Sequence, residues 1–369
     1  MSEQHEAARI GLVGAGSISG AYLESFTRLP NLRLTAVADL DPARAQAVAA
    51  KVPGIAVTDL TGLLARDDVD VVLNLTIPAA HAEVALAAIE AGKHVYGEKP
   101  LTGRACDAVP VLTAAGRAGV RVGCAPDTVL GVGTQTARKA VDDGWIGTPV
   151  AATAFMTTPG HEAWHPDPEF YYQPGGGPLL DMGPYYLTAL VHLLGPVRRV
   201  VGLSSRPRAT RTIGSGPKAG QRFPTKVDTH VAGVLEHVSG ALTTIMMSFD
   251  VWQARLPRIE VYGTKATLSV PDPNGFAGDV ELYSGATREW TTLDVSAGYA
   301  DAGRGYGLSD LARAIATEQP HRASGEIAGH VLDIMESLLA AGETGSEMPV
   351  RSTCKRPALV PLGATPDQA

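Results

Sequence analysis

The sequence predicts an α/β chain in two parts: a doubly wound parallel sheet over residues 1–126, and an α+β domain with a large, mainly antiparallel open sheet over residues 127–369. Three observations predict it. Up to about residue 125, short Val- and Leu-rich runs alternate with helical patterns, the mark of a parallel sheet covered by helices on both faces. Beyond that point apolar residues recur with a period of two in short segments, as in antiparallel strands with one buried face. A chain of 369 residues also exceeds what one core commonly serves, so two domains are the default.

The elements follow in order. "RIGLVGA" reads as a strand, "SGAYLESFTRL" as a helix, "LRLTAVAD" as a strand and "PARAQAVAAKV" as a helix, with Asp41 before Pro42 suited to cap it. "VDVVLNL", "HAEVALAAIEAG", "KHVYG", "ACDAVPVLTAAGRAG" and "VRVGCA" continue the alternation. A helix over about Gly133–Gly144 leads into a strand near "PVAATAFM". "HVAGVLEH", "ALTTIMMSF", "RIEVYG", "ATLSV" and "DVELYS" complete the antiparallel set, and "LSDLARAIAT" and "IAGHVLDIMESLLAA" are helical. Residues 205–227 hold several basic residues and no acids, which reads as a solvated loop, with an inter-subunit arm as the alternative. The tail "KRPALVPLGATPDQA", rich in Pro and small residues, reads as loosely attached.

Composition removes several functional classes. Hydrophobic residues at 45% and charged residues at 19% describe a globular protein rather than a disordered one. A formal charge of −7 argues against a nucleic-acid partner, and no basic helix is visible. Cys106, Cys124 and Cys354 are too scattered for a disulfide framework or a Cys-x-x-Cys metal site. The amino terminus has no apolar targeting segment and no run is long enough to span a bilayer, so a cytoplasmic chain without a membrane partner is expected.

The first βα turn is Gly14-Ala-Gly16-Ser17-Ile18-Ser19. Gly14 allows the tight turn, and Gly16 lets the backbone approach a pyrophosphate at the helix amino terminus, where Ser17 and Ile18 stand. Ser19 replaces a third glycine with another small residue. Asp39 closes the second strand, where an acid can hold ribose hydroxyls and repel a 2′-phosphate. Strand, turn, helix and acid together predict a dinucleotide site, with NAD preferred to NADP.

"GHEAWHPDPEF" poses a different question, because His161-Glu162-x-x-His165 matches a zinc-protease pattern. That pattern works only on a helix, where two histidines four apart share one face. Gly160 before it and Pro166 after it do not suit one, so a zinc hydrolase is a distant reading and no metal is expected.

Later marks are more telling. "LNLTIPAAHAEVALAAIEAGKHVYGEKPL" places Thr76, Pro78 and His81 after the fourth strand and Glu98-Lys99-Pro100 after the fifth. With Gly14-x-Gly16 and Asp39, this resembles the glucose-fructose oxidoreductase / inositol dehydrogenase (Gfo/Idh/MocA) family, over nearly the whole chain. The resemblance implies a Rossmann domain and hydride transfer between a nicotinamide cofactor and a carbinol or ketone carbon of a sugar, glycoside or cyclitol. It also implies a homodimer or homotetramer. Lys99 falls on the family's catalytic lysine, ahead of a bond to Pro100 that the family often holds cis. "YYQPGGGPLLDMGPYYLTALVHLLGP" is similar to the family's Gly-Gly-Gly, Asp-x-Gly-x-His signature. Asp181 is its acid, and Tyr185 stands at its histidine. The resemblance makes Asp181 and Tyr185 partners of Lys99 in proton transfer, and Thr76, Pro78, His81, Glu98 and Lys99 cofactor neighbours. His161, Trp164, His165 and Tyr172 become candidate substrate contacts, with loop packing as the alternative. Asp127 and Val129 stand where many relatives carry Asn and Arg, so Asp127 is a further candidate substrate contact. A dinucleotide-binding regulator without turnover is the alternative function, and Lys99, Asp181 and Tyr185 together favour the enzyme.

Overall fold

The computed structural model describes residues 6–368, so the expectation of a leaderless amino terminus lies partly outside the described residues. The chain divides into two compact units. One comprises Met1–Val132, Ala297–Gly329 and Pro357–Ala369, and the other Gly133–Ser296 and His330–Arg356.

In the first unit β1 (Ala8–Val13), β2 (Leu32–Ala38), β3 (Ala56–Thr58), β4 (Val71–Asn74), β5 (His94–Gly97) and β6 (Val122–Cys124) form a parallel sheet in the order β3-β2-β1-β4-β5-β6. The intervening helices are α1 (Ser19–Phe26), α2 (Pro42–Lys51), α3 (Leu60–Leu64), α4 (Pro78–Glu90) and α5 (Ala105–Ala118). β4 is buried at every residue, as expected of a strand covered on both faces. Each fully buried Val or Leu contributes about 1.5–3 kcal/mol, which lets β4 carry the polar Asn74 at its end. The strand order reverses between β1 and β4, where Val13 pairs with Asn74, so the carboxyl-end loops meet at this switch point. Asp41 caps α2 by accepting from the Ala43 amide at 3.0 Å, as the sequence predicts.

A linear division at residue 126 does not describe this unit. Residues 297–329 return to it after the second unit. Asp127 accepts from the Gly305 and Gly307 amides at 2.8 and 3.1 Å, and the Cys124 amide donates to Ala323 O at 3.0 Å. The tail is also held rather than loose. The Arg322 guanidinium donates to Ala358 O and Leu359 O, the Gly298 amide donates to Val360 O, and Val360 is fully buried. Proline and small residues favour an extended backbone, whose carbonyls a buried arginine can use.

In the second unit α6 (Val132–Asp142, whose first residue belongs to the other unit) precedes β7 (Pro149–Thr157), α7 (Pro178–Leu194) and β8 (Val197–Ser205). β9 (Thr210–Thr212) and β10 (Arg222–Pro224) form a hairpin. β11 (His230–His237), β12 (Leu242–Ser248), β13 (Ile259–Gly263), β14 (Ala266–Val270), β15 (Glu281–Ser284) and β16 (Trp290–Thr292) follow. After α8 (Tyr306–Ala316) and α9 (Gly325–Thr344), of which α8 and the first five residues of α9 belong to the first unit, β17 (Met348–Pro349) completes a sheet ordered β16-β15-β14-β13-β7-β12-β11-β8-β17. Only β7 and β12 run parallel within it. α7 packs on β7, β11 and β12, and Leu338 of α9 lies over β8 and β11. The opposite face leaves Val150, Val201, Leu203, Val234 and Leu242 exposed.

Residues 205–227 are exposed for most of their length, as a solvated loop would be, but the β9–β10 hairpin packs part of them. Ile213 and Phe223 are buried, and the Arg211 side chain has no exposed surface. Its guanidinium lies 2.9 Å from Glu162 Oε1 and 2.7 Å from Asp250 Oδ1. Of its basic residues Arg211 is the one buried, because acids elsewhere in the chain meet it.

Three buried histidines of this unit make stability depend on pH. Burial, with the Arg138 and Arg356 charges behind it, lowers His192 to about 3. Burial likewise lowers His330 to about 4 and depresses His237. The unfolded chain binds protons at these residues near 6.5 while the folded chain does not, so stability rises with pH between about 3 and 6.5 and is lost on acidification through that window. Neither ring nitrogen of His192 has a hydrogen-bond partner among the described residues, so His192→Leu sacrifices none. The stability difference between neutral pH and about pH 4.5 should shrink by about 2–3 kcal/mol in His192→Leu, read from urea melts at the two pH values. An unchanged difference contradicts this.

Candidate active site

The carboxyl edge of the parallel sheet is built from three loops. Gly14 has φ +93, and a Cβ on it would lie 2.7 Å from Leu75 C and O, so the β1 and β4 loops approach closely only at a glycine. Gly16 has nothing within 4 Å of its Cβ direction, and no side chain caps α1 at Ile18. Ser17 is exposed, while Ser19 is buried and donates its hydroxyl to Gly16 O at 2.7 Å. Asp39 accepts from the Ala15 amide at 2.6 Å and from the Asp41 amide at 2.8 Å, tying the end of β2 to the glycine turn. An open backbone at an uncapped helix start, with a carboxylate beside it, fits a dinucleotide.

At the β4 and β5 ends the sequence candidates take different parts. Asn74, buried, accepts from the Thr76 hydroxyl at 2.6 Å and donates to His81 O at 3.1 Å. His81 is itself buried, with Nδ1 2.6 Å from Pro100 O and Nε2 3.0 Å from Thr76 O. It therefore braces the two loops against each other and offers little surface to a cofactor. Pro78 starts α4, exposed. Glu98 is held at both oxygens, by the Tyr22 hydroxyl at 2.8 Å and the Lys99 amide at 3.1 Å. Lys99 is half-buried, and its bond to Pro100 is cis, as the resemblance implies. Burial, with Glu98 next, pushes the Tyr22 phenol well up, so it stays a donor to that carboxylate.

Asp127 departs from its expected role. It is fully buried, its Oδ2 accepts two backbone amides, and Arg304 lies 3.7 Å from its Oδ1. Burial raises its pKa, against the Arg304 charge. A carboxylate so enclosed serves as an internal acceptor for the Gly305–Gly307 turn and presents no surface to a substrate.

In the second unit, His161–Ala163 forms a single 3₁₀ turn and not the α-helix a zinc pattern needs, in keeping with the flanking Gly160 and Pro166. Gly160 has φ +113, and a Cβ there would lie 2.2 Å from Glu162 Oε2, so this entry to the loop requires glycine. His161 Nε2 lies 2.9 Å from Asp181 Oδ2, joining the loop to the first turn of α7. An acid in that first turn suits the helix dipole. Tyr185 sits one turn further along α7 and is buried. Trp164 is 60% exposed and meets the His161 ring edge at 5.3 Å and the His165 ring at 5.4 Å. His165 accepts from the Asp167 amide at 3.1 Å, a turn within the loop. Tyr172 is fully buried, and its hydroxyl donates to Glu162 and accepts from the His161 amide. Burial and that carboxylate push the Tyr172 phenol up. Tyr172 thus faces the Glu162–Arg211 pair, and not a substrate.

Four residues outside the predicted set shape these sites: Asn74, Tyr22, Glu162 and Arg211. Asn74 had a visible signal, a polar side chain closing an all-apolar strand run. Glu162 lay inside the H-E-x-x-H match but as the ligand pattern's acid, and Tyr22 and Arg211 have no local mark.

Comparison with known proteins agrees with this geometry. Residues 8–125 match the family described as "Oxidoreductase family, NAD-binding Rossmann fold", and residues 134–269 match the "GFO/IDH/MocA C-terminal domain". A dTDP-3,4-didehydro-2,6-dideoxy-alpha-D-glucose 3-reductase of Streptomyces violaceoruber is 34% identical, over 64% of this chain and 69% of its own. Inositol 2-dehydrogenase 3 of Saccharopolyspora erythraea is 28% identical, over 76% of this chain and 79% of its own. A crystal structure of an NAD binding oxidoreductase from Klebsiella pneumoniae superposes with a TM-score of 0.80 at 26% identity, covering 93% of this chain and 99% of that one. Two domain matches and a relative of this identity place the chain in the Gfo/Idh/MocA family, as an oxidoreductase with an NAD-binding Rossmann domain.

Proposed function

We propose that this chain oxidises or reduces a carbinol or ketone carbon of a sugar, glycoside or cyclitol, with Lys99 as the acid/base and NAD preferred to NADP. The observation that carries it is Lys99 at the carboxyl end of β5, its amide donating to Glu98, which Tyr22 also holds, at the edge where doubly wound sheets bind ligands. The relatives support the substrate class, since they are a deoxysugar reductase and an inositol dehydrogenase. Bound NAD supplies a hydride acceptor or donor. Gly14, Gly16, Ser17 and Ile18 hold its pyrophosphate, and Asp39 its ribose. Lys99 takes the hydroxyl proton in oxidation and returns it in reduction. On the second unit, Asp181, Tyr185 and the exposed Trp164 are the groups offered to a polyol. A panel of sugars, glycosides and inositols assayed by nicotinamide absorbance tests the proposal. Tight NAD binding with no turnover on any of them would favour a regulator.

Cofactor choice is a separate prediction. Leu40 is fully exposed and donates nothing to a 2′-phosphate, and Arg44 is paired with Asp41 at 3.5 Å. NADH should bind at least roughly tenfold more tightly than NADPH, about 1.4 kcal/mol, in parallel fluorescence titrations. Tighter NADPH binding contradicts it.

The exposed apolar face of Val150, Val201, Leu203, Val234 and Leu242 supports self-association into a dimer or tetramer. Leu203→Glu, at 69% exposure on β8 of that face, should shift sedimentation towards monomer at micromolar concentration. A wild-type chain that sediments only as monomer overturns this part.

A further inference from the structure

We propose that His161 is the positioning residue of Asp181: its backbone is anchored by Tyr172, Glu162 and Arg211, and its imidazole, donating from Nε2, sets the direction of the carboxylate. The proposal deepens the reading of Asp181 as a polyol-facing group and rests on it.

The pair is close and nearly dry. Nε2 and Oδ2 are 2.9 Å apart, and the side chains are 11% and 17% exposed. Nδ1 is buried without a hydrogen-bond partner among the described residues, so the tautomer protonated at Nε2 satisfies the carboxylate. Rings close on the imidazole from three sides: Tyr171 at 4.4 Å, Phe249 at 4.5 Å and Trp164 at 5.3 Å between centroids. The backbone is anchored as firmly. The His161 amide donates to Tyr172 Oη at 3.1 Å, and the Tyr172 hydroxyl donates to Glu162. Glu162 accepts from Arg211 at 2.9 Å, and Arg211 reaches Asp250 at 2.7 Å. Asp250 in turn accepts from Thr229. One chain of hydrogen bonds therefore runs from the hairpin β9–β10 to the first turn of α7.

The ionisable groups around the imidazole divide by element. Asp181 faces it from α7, Tyr171 and Tyr172 from the turn before α7, and Glu162 from its own turn. Behind them, Arg208 and Arg211 neutralise Glu162 and Asp250, leaving Asp181 as the carboxylate bonded to the ring. Any hydroxyl that Asp181 accepts meets a carboxylate whose direction His161 sets.

The first test needs no substrate. By NMR of protein with 15N-labelled histidine, the ring nitrogen shifts of His161 should mark the tautomer protonated at Nε2, and Asp181→Asn should shift that nitrogen. A ring protonated at Nδ1, or a spectrum unchanged in Asp181→Asn, overturns the proposal. The second test uses steady-state kinetics on a turned-over polyol. His161→Phe should lower kcat roughly 10–100-fold, the range found for groups that orient a reacting ligand, and move the acid limb of the kcat/KM profile upward. His161→Gln keeps an N–H donor and should recover most of kcat. Equal losses in both variants with a wild-type pH profile would reduce His161 to packing and overturn the proposal. If no polyol turns over, the assignment of function fails while the NMR result still decides the pair.

Discussion

Lys99→Ala is expected to lower turnover by about 10² to 10⁴-fold, the yield of a positioned proton-transfer group, with dinucleotide affinity little changed. The separation follows from the loops. Gly14, Gly16 and Asp39 belong to the β1 and β2 ends, and Asp39 is bonded to the Ala15 and Asp41 amides, so the cofactor turn stands without the lysine side chain. Glu98 remains held by Tyr22 at 2.8 Å whatever side chain residue 99 carries, because its other bond is to a backbone amide. Lys99→Arg should fail to rescue, since a guanidinium keeps its charge and cannot accept the hydroxyl proton. Steady-state kinetics with NADH titrations on the same preparations measure both quantities. Folded Lys99→Ala protein with wild-type turnover would remove the lysine from the chemistry.

Arg211→Leu is expected to cost about 3–5 kcal/mol of stability, the cost of breaking a buried ionic network by removing one member. Its side chain is fully buried, and Glu162 and Asp250 are 9% and 11% exposed, so both carboxylates would lose their principal partner inside the fold. Arg208 does not replace it: it reaches Asp250 at 2.9 Å but stands 3.7 Å from Glu162, and its side chain is 42% exposed. Arg211→Lys should recover only part, because an ammonium cannot bridge two acids in the guanidinium's fork. In a Glu162→Gln, Asp250→Asn background the same Arg211→Leu change should cost much less, since no charge is left stranded. Urea melts of the set measure these differences, and an equal cost in both backgrounds would show that Arg211 acts by packing alone.

The sequence by itself determined what lies within short windows. β1, β2, β4, β5 and β6 with the helices α1, α2, α4 and α5 follow from apolar runs and their spacing, while the short β3 and α3 do not, and the α2 cap follows from Asp41-Pro42. β11 to β14 follow from alternation, because a pleated strand with one buried face imposes a period of two on its own residues. That no α-helix carries His161 and His165 was legible in the same way, from Gly160 and Pro166. Other features needed contacts between distant residues. Asp127 looked like a site acid beside the sixth strand, yet it meets amides 178 and 180 positions away and is sealed by them. Arg211 looked like one charge in a solvated basic stretch, yet its acids are 49 and 39 positions away. The tail looked unattached until Arg322, 36 and 37 positions upstream, took its carbonyls. Periodicity and turn chemistry act on neighbours in sequence, so they are written locally. Whether a charged or polar group faces water or is buried and paired depends on which partners the closed fold brings to it. Only the tertiary structure could therefore decide the roles of Asp127, Tyr172, His81 and Arg211, because desolvation makes each of them depend on partners that the local sequence does not contain.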